Sequence, residues 1–241
     1  MSENVLVVHR RLFDKVGSFQ GICLGVADYL GAMWGSSDIF FHPREKAETD
    51  FFLKQIIPYV LVECNGKILR YRRDKEGERR LEGFYSIGIG GHINTTDGAI
   101  NECYFNGLAR ELREEIGFNI TENSTLPRVS AIVNDDNTEV GAVHLGMVHV
   151  LRFRDAIPRI PNLSLPEWVP TNELLKEKVS AYEPWSKICL LKLPLLLCQQ
   201  VDLGDRGLVP AEIIRESDIP GMCVCQTSDG KRITVHQQQL R

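Results

Sequence analysis

The chain has 241 residues, of which 43% are hydrophobic and 25% are charged, and its formal net charge is −4 at pH 7. This composition is typical of a globular protein that can form a packed core. The small negative charge gives no overall reason to expect nucleic acid or an anionic membrane as a partner. Seven cysteines without zinc-ligand spacing predict reduced thiols and a cytoplasmic location.

The sequence predicts neither a secretory signal nor a membrane-spanning segment. The first residues, MSENVLVVHRR, carry charges too early for a secretory signal. The most apolar run, residues 188–198, is 11 residues long and contains Lys192 and Pro194. It is too short to span a bilayer, so we expect a buried helix there.

The first half of the chain predicts mostly strands. We expect a strand within residues 4–13, a short helix in 21–34 that ends near Gly31, and a polar connection over 40–50. Two apolar runs flank Asn65-Gly66, which is a strong signal for a β-hairpin. Residues 84–93 predict a third strand that ends in glycines.

The next segment, NECYFNGLARELREEIGF, predicts an amphipathic helix. Asp97 is the expected N-cap, and Gly117 is the expected C-terminal stop. The apolar stripe is expected to consist of Phe105, Ala109, Leu112 and Ile116.

The second half of the chain predicts both strands and helices. Strands are expected at 128–133 and 139–153, and helices at 171–179 and from about residue 183. The tail, 201–241, predicts short strands. They form either a small, SH3-like β appendage or an extension of the main domain.

Three glutamates on the predicted helix suggest a metal site. Glu111, Glu114 and Glu115 lie at i, i+3 and i+4 and therefore share a face. Like charges at this spacing destabilise a helix, and the C-terminal end of the helix dipole disfavours them further. A bound Mg²⁺ or Mn²⁺ would compensate, although a solvated acidic face paired with Arg110 and Arg113 is the ordinary alternative.

The wider spacing favours the metal site. From Glu102 through Arg110-Glu111-Leu112, Glu114-Glu115 and Gly117-Phe118, the segment resembles the Nudix box, G-x5-E-x7-R-E-U-x-E-E-x-G-U. The glycine at the start of the pattern does not fit, because Thr96 occupies its position. Gly90-Gly91 takes its place, with a loop five residues longer. The segment before the helix is also similar to a branch described as predicted phosphoesterases.

The resemblance implies the fold and the domain layout. It implies an α/β (α+β) architecture, a Nudix-type α/β/α sandwich with a mixed β-sheet. The Nudix domain is expected over 1–200, with its core at about 56–198 and an N-terminal extension at 1–55. Residues 201–241 would form the separate β appendage.

The resemblance also implies a reaction and roles for the box residues. The expected activity is metal-dependent hydrolysis of a diphosphate linkage in a nucleotide-like small molecule, with Mg²⁺ or Mn²⁺ as cofactor. Glu111, Glu114 and Glu115 would be catalytic metal ligands. Glu102 and Arg110 would form a salt bridge near the site, while Gly91 and Gly117 would shape the backbone.

Further candidates lie outside the box. Glu139, in an acidic loop with Asp135 and Asp136, is a candidate catalytic acid or base, with a solvated loop acid as the alternative. The candidate substrate ligands are Arg70, Arg72, Arg73, Arg79, Arg80 and His144, because arginine forks suit phosphate oxygens. Structural ion pairs and a buried, hydrogen-bonded histidine are the competing interpretations of these residues.

The substrate and the assembly stay open. The chain lacks the secondary motifs of the ADP-ribose, dinucleoside polyphosphate and NADH types of Nudix enzyme. The alternative function is a non-catalytic Nudix-fold module that binds a nucleotide and regulates a partner. A homodimer is compatible with the sequence, and the tail has too few aromatic and basic residues to favour RNA.

Overall fold

The computed structural model describes residues 3–73, 79–119, 127–153, 160, 162–197, 200–202, 208–216, 222–227 and 232–236. The chain divides into two compact units, Met1–Leu190 and Leu191–Arg241. The strands of the first unit are β1 Asn4–His9, β2 Gly21–Cys23, β3 Ile39–Pro43, β4 Leu53–Cys64, β5 Lys67–Arg72, β6 Tyr85–Ser86, β7 Gly88–Ile89, β8 Val129–Asn134, β9 His144–Phe153 and β10 Glu167–Pro170. Its helices are α1 Arg11–Val16, α2 Ala27–Met33, α3 Arg44–Ala47, α4 Cys103–Ile116, α5 Glu139–Ala142, α6 Thr171–Leu174 and α7 Pro184–Leu190.

The first unit is built on one mixed sheet. Its strand order is β10-β5-β4-β9-β8-β2, and β1 joins through β4 and carries β3 on its other side. The pairing of β4 with β9 is parallel, whereas the other ladders are antiparallel. Helices α1 and α2 contribute to one apolar cluster, and α4 contributes to that cluster and to a second one. The predicted α/β architecture with a mixed sheet is confirmed.

The central strand β4 and the hairpin that follows it agree with the sequence pattern. Strand β4 is buried along nearly its whole length, as expected for a strand covered on both faces. Asn65 and Gly66 join β4 to β5 with φ angles of 50° and 77°. A two-residue turn with both angles positive matches the twist of the flanking strands, so the hairpin prediction is confirmed.

The N-terminal extension belongs to the same sheet. Strand β1 pairs with β4 at Val7, Val8 and His9. The predicted polar connection over 40–50 is wrong, because β3 pairs there with β1 and α3 follows it. A small buried cluster of Val5, Val7, Ala47 and Leu53 explains this order. The apolar positions that form it are spread too widely along the chain to reveal a pattern.

Helix α4 begins later than predicted and buries a different stripe. It starts at Cys103 after Glu102, so Asp97 is not its N-cap. The buried stripe is Tyr104, Leu108, Leu112 and Ile116, while Phe105 is 50% exposed. The stripe shifts by one residue at its N-terminal end because Cys103 and Tyr104 pack into the core formed with β9. Gly117 ends the helix with φ 66° and donates to the Arg113 carbonyl, as predicted.

Strand β9 also starts later than predicted. Residues 139–142 form the helical turn α5, in which the Thr138 hydroxyl accepts a hydrogen bond from the Gly141 N–H. This cap replaces the first residues of the predicted strand, so β9 begins at His144.

The second unit contains α8 Leu193–Leu197 and the strands β11 Gln200–Asp202, β12 Leu208–Glu216, β13 Met222–Thr227 and β14 Arg232–His236. The strands form an antiparallel sheet in chain order. The predicted turn at Ser228-Asp229-Gly230 lies outside the described residues. The domain boundary at residue 200 and the SH3-like character stay predictions. In the described part of both units, no helix has the length and apolar character needed to cross a membrane.

His149 in β9 is expected to make the fold sensitive to acid. It is fully buried; its Nδ1–H donates to the Pro127 carbonyl at 2.7 Å, and its Nε2 accepts from the Tyr104 hydroxyl at 2.7 Å. Burial lowers the pKa of His149 from 6.5 to about 4. Between these values the unfolded chain binds a proton that the folded chain does not, so stability falls as pH falls.

We therefore expect protonation of His149 in the unfolded chain to lower the free energy of unfolding by up to about 3 kcal/mol as the pH falls from 6.5 to 4. Urea unfolding of the wild type and of His149→Gln across this range measures the difference in slope. The glutamine variant should lose this part of the pH dependence, whatever its stability at pH 7. Equal slopes in the two proteins would contradict the prediction.

Candidate active site

Arg110 is the centre of a charged network at the start of the site. Its Nε and Nη2 donate to the two carboxylate oxygens of Asp97 at 2.8 and 3.0 Å, and Nη2 also donates to the His92 carbonyl at 2.9 Å. Its Nη1 donates to Glu111 at 2.7 Å and to Glu114 at 3.1 Å. These neighbouring carboxylates, with Asp97 foremost, raise the pKa of Arg110, so its charge is permanent.

The predicted salt bridge between Glu102 and Arg110 is wrong, because Asp97 takes the place of Glu102. Asp97 ends the short 3₁₀ turn Thr95–Asp97 and forms a capping box with Asn94. In this box the Asp97 carboxylate accepts a hydrogen bond from the Asn94 N–H. The longer loop after Gly91 carries this turn to the side of α4. Glu102 is exposed at the N-cap of α4.

Gly91 allows Glu111 to lie beneath the glycine loop. A Cβ at residue 91 would fall 2.4 Å from the Glu111 carboxylate, so only glycine leaves room for this side chain. Glu111 is buried, and desolvation raises its pKa, with the charges of Glu114 and Glu115 adding to the effect and Arg110 opposing it. A buried carboxylate in this environment favours an approaching cation.

A cavity of about 570 Å³ lies over this loop. Glu111 and Glu115 line it, together with Gly91, His92 and His144. The exposed Glu114 does not line it, and its carboxylate accepts a hydrogen bond from Arg110. Within the described residues, the oxygens of the three glutamates do not all lie within 4.8 Å of one another.

Arg73 brings a positive charge to the same cavity. It follows the last residue of β5, and its guanidinium lies over the Tyr71 ring at 5.5 Å. Its Nε is buried and has no hydrogen-bond partner among the described residues. Because Arg73 also lines the cavity, its guanidinium is a candidate donor to an anionic ligand there.

Two known proteins are each 30% identical to this chain, and one of them shows its family. No protein-family model matches the chain. It is 30% identical to Protein YmaB of Bacillus subtilis over 151 residues, which cover 60% of this chain and 73% of YmaB. It is also 30% identical to Tm1382, a proposed Nudix hydrolase of known crystal structure, with a TM-score of 0.63. That match covers 79% of this chain and 98% of Tm1382.

The chain belongs to the Nudix hydrolase superfamily. The resemblance predicted from the box is therefore confirmed. The Nudix helix is α4, and the glycine loop that faces it follows β7. The box residues are expected to hold a divalent cation, and their chemistry fits one. Glu111 and Glu115 offer carboxylate oxygens to the cavity, which Mg²⁺ and Mn²⁺ prefer, and a cation would stabilise the ionised form of Glu111.

Of the arginines predicted to bind substrate, Arg73 lines the cavity, and the other described ones lie elsewhere. Arg70 pairs with Glu167 and Glu177 and donates to the Tyr182 hydroxyl, while Arg72 donates to the Gly83 carbonyl. Arg80 pairs with Glu48 at 3.3 Å. None of these three lines the cavity, and the Arg79 side chain lies outside the described part of the structure.

Glu139 also lies outside the cavity. It is the first residue of α5, and its side chain is 87% exposed. Its carboxylate lies 4.0 Å from the Arg80 guanidinium. Its neighbours Thr138 and Val140 line the cavity, because the helical turn directs them inward and Glu139 outward. The structure therefore does not bring Glu139 to the box glutamates, and its catalytic role stays a prediction.

Several cavity residues were not predicted from the sequence. Glu3 and Arg44 come from the N-terminal extension, and Tyr59, Glu183 and Trp185 come from β4 and the start of α7. Asn94 also lines the cavity, and its capping box with Asp97 was recognisable as an acid three residues after an N-cap residue. The others carry no local sequence signal, since long-range packing alone brings them together.

Proposed function

We propose that the protein is a metal-dependent pyrophosphohydrolase that cleaves a diphosphate linkage in a nucleoside diphosphate derivative or a similar phosphorylated small molecule. The observation that carries this proposal is the meeting of two kinds of group in one cavity. Glu111 and Glu115 supply carboxylates for a cation, and Arg73 supplies a guanidinium for an anion. The cavity volume falls in the range of about 300–1,000 Å³ that is usual for small-molecule sites.

The residues divide the work of the reaction between them. Arg73 binds the diphosphate oxygens and orients the linkage. Arg110 fixes Glu111 under the glycine loop, so that the carboxylate keeps its position during turnover. When bound, the divalent cation supplies Lewis-acid polarisation and promotes ionisation of the attacking water. A cavity carboxylate, Glu111 or Glu115, accepts the proton that this water loses.

A substrate screen tests the proposal. Full-length protein is incubated with nucleoside diphosphate sugars, ADP-ribose-like compounds and dinucleoside polyphosphates, in Mg²⁺, in Mn²⁺ or in chelator. A phosphatase added afterwards releases phosphate from any monophosphate product. We expect turnover of at least one class of compound, dependent on the metal ion, because the cavity combines carboxylates with a phosphate-binding arginine.

The same screen distinguishes the alternative function. Thermal unfolding of the protein is measured with each compound that was tested for turnover. If no compound is hydrolysed but some raise the unfolding temperature, the protein is a nucleotide-binding module and the hydrolase proposal fails. The presence of the box glutamates would then need a structural explanation, such as the hydrogen bond from Arg110 to Glu114.

A further inference from the structure

A second group of potential metal ligands lies beside the box glutamates. Glu48, His92 and His144, here called the histidine cluster, each offer one ligand atom, and these atoms lie within 4.8 Å of one another. Glu48 follows α3, His92 follows the glycine loop, and His144 starts β9. Three distant segments of the chain therefore bring two imidazoles and a carboxylate to one point.

The hydrogen bonds of His144 prepare it as a ligand. Its Nδ1 lies 2.7 Å from the Val140 carbonyl, which can only accept, so Nδ1 carries the proton and Nε2 carries a lone pair. A backbone carbonyl on the second nitrogen is the usual way in which a metal-binding histidine is oriented. His144 is also buried, which restricts its ring to this position.

The spacing of the two histidines suits a shared cation. Their Nε2 atoms lie 3.2 Å apart. Two nitrogens bound at about 2.0–2.1 Å to one tetrahedral ion are separated by about 3.3 Å. In the hydrogen-bonded pair His92 donates its Nε2 proton to His144. To bind a metal ion through Nε2, His92 would have to carry this proton on Nδ1 instead; the ring would then stay neutral and no net proton would be released.

We propose that Glu48, His92 and His144 bind a divalent transition-metal ion with the coordination preferences of Zn²⁺. Two imidazoles and one carboxylate form a donor set that favours such ions over Mg²⁺. The box offers carboxylates alone and favours the harder cations. His92 and His144 line the same cavity as Glu111 and Glu115, so one cavity holds two sites of different selectivity.

The charges around Glu48 set limits on this site. Arg44 lies 3.6 Å from one Glu48 oxygen, and Arg80 lies 3.3 Å from the other. A metal ion has to displace one of these contacts, which lowers its affinity. The bound ion leaves one or more coordination positions for a ligand from the cavity, and an anionic phosphate oxygen matches its remaining positive charge. The site stands independently of the hydrolysis reaction, because its evidence lies outside the box.

Direct metal binding tests the proposal without an activity assay. Chelator-treated, full-length protein is titrated with Zn²⁺ by calorimetry and with Co²⁺ by visible absorption, which reports the coordination of the ion. The variants are His92→Asn, His144→Asn and Glu48→Gln. The matched controls are His42→Asn, a half-buried histidine in β3 outside the cluster, and Glu115→Gln, which changes the box.

We expect the cluster variants to weaken Zn²⁺ binding by more than roughly 10-fold, since changes in outer-shell partners alone typically cost 10–100-fold. His42→Asn and Glu115→Gln should retain the site and its Co²⁺ spectrum. Wild-type affinity in His92→Asn, or loss of the site in Glu115→Gln alone, would overturn the proposal. Thermal unfolding verifies the fold of each variant. His92 is only partly buried, so its result decides the matter if His144→Asn does not fold.

Discussion

Replacing Glu115 with glutamine is expected to abolish metal-dependent turnover and to leave the fold intact. Glu115 is half-buried at the cavity, where its carboxylate adds negative charge beside Glu111. Glutamine keeps the shape of the side chain but loses a cation ligand of full charge. The expected loss in kcat/KM is roughly a hundredfold or more, which corresponds to about 3 kcal/mol of transition-state stabilisation.

Steady-state kinetics over a range of Mg²⁺ concentrations, together with urea unfolding, measure this effect. Stability should stay close to that of the wild type, because the substitution relieves repulsion among like charges on α4. Glu102→Gln is the matched control, since it makes the same chemical change on an exposed residue at the start of the helix. Wild-type turnover in Glu115→Gln would rule out its role as a metal ligand.

Replacing Asp97 with alanine is expected to lower the free energy of unfolding by about 2–3 kcal/mol. Asp97 is buried, accepts two hydrogen bonds from Arg110 and accepts a third from the Asn94 N–H. Removing one partner of a buried ion pair typically costs about 3–5 kcal/mol. The lower value applies because Arg110 is partly exposed and keeps its contacts with Glu111 and Glu114.

The same substitution should also weaken Mg²⁺ activation. Without Asp97, the charge of Arg110 is neutralised only by the box glutamates and competes with the cation for Glu111. Urea unfolding and the Mg²⁺ dependence of turnover are compared with Glu102→Ala, which removes the carboxylate that the family pattern pairs with this arginine. If Glu102→Ala destabilised the protein as much as Asp97→Ala, the partner seen in the structure would be the wrong one.

The box spacing and the local backbone signals could be predicted from the sequence. Gly117 and Asn65-Gly66 are short-range signals, because a left-handed residue is required wherever a helix ends or a hairpin turns in this way. The spacing from Glu102 to Phe118 identified the superfamily even though the loop before it is longer. These features depend on neighbours within one or two turns of the chain.

The composition of the cavity could not be predicted in the same way. Arg70, Arg72 and Arg73 are the same type of residue, yet of these three only Arg73 lines the cavity; it is also the one that lies beyond the end of β5. Arg70 remains on the strand, where acids from later segments neutralise it. Glu48, His92 and His144 are separated by 44 and 52 positions in the sequence, so only the folded sheet shows that they meet.

The position of β1 in the sheet bears on where differences in substrate preference between related Nudix proteins are encoded. Strand β1 pairs with the start of the central strand β4. Glu3, just before β1, and Arg44, just after β3, line the cavity. Part of the cavity lining is therefore encoded 67 to 112 residues before Glu111 and Glu115. We expect substitutions in this segment to alter ligand choice without disturbing the box. Fingerprints sought only downstream of the box would miss this source of specificity.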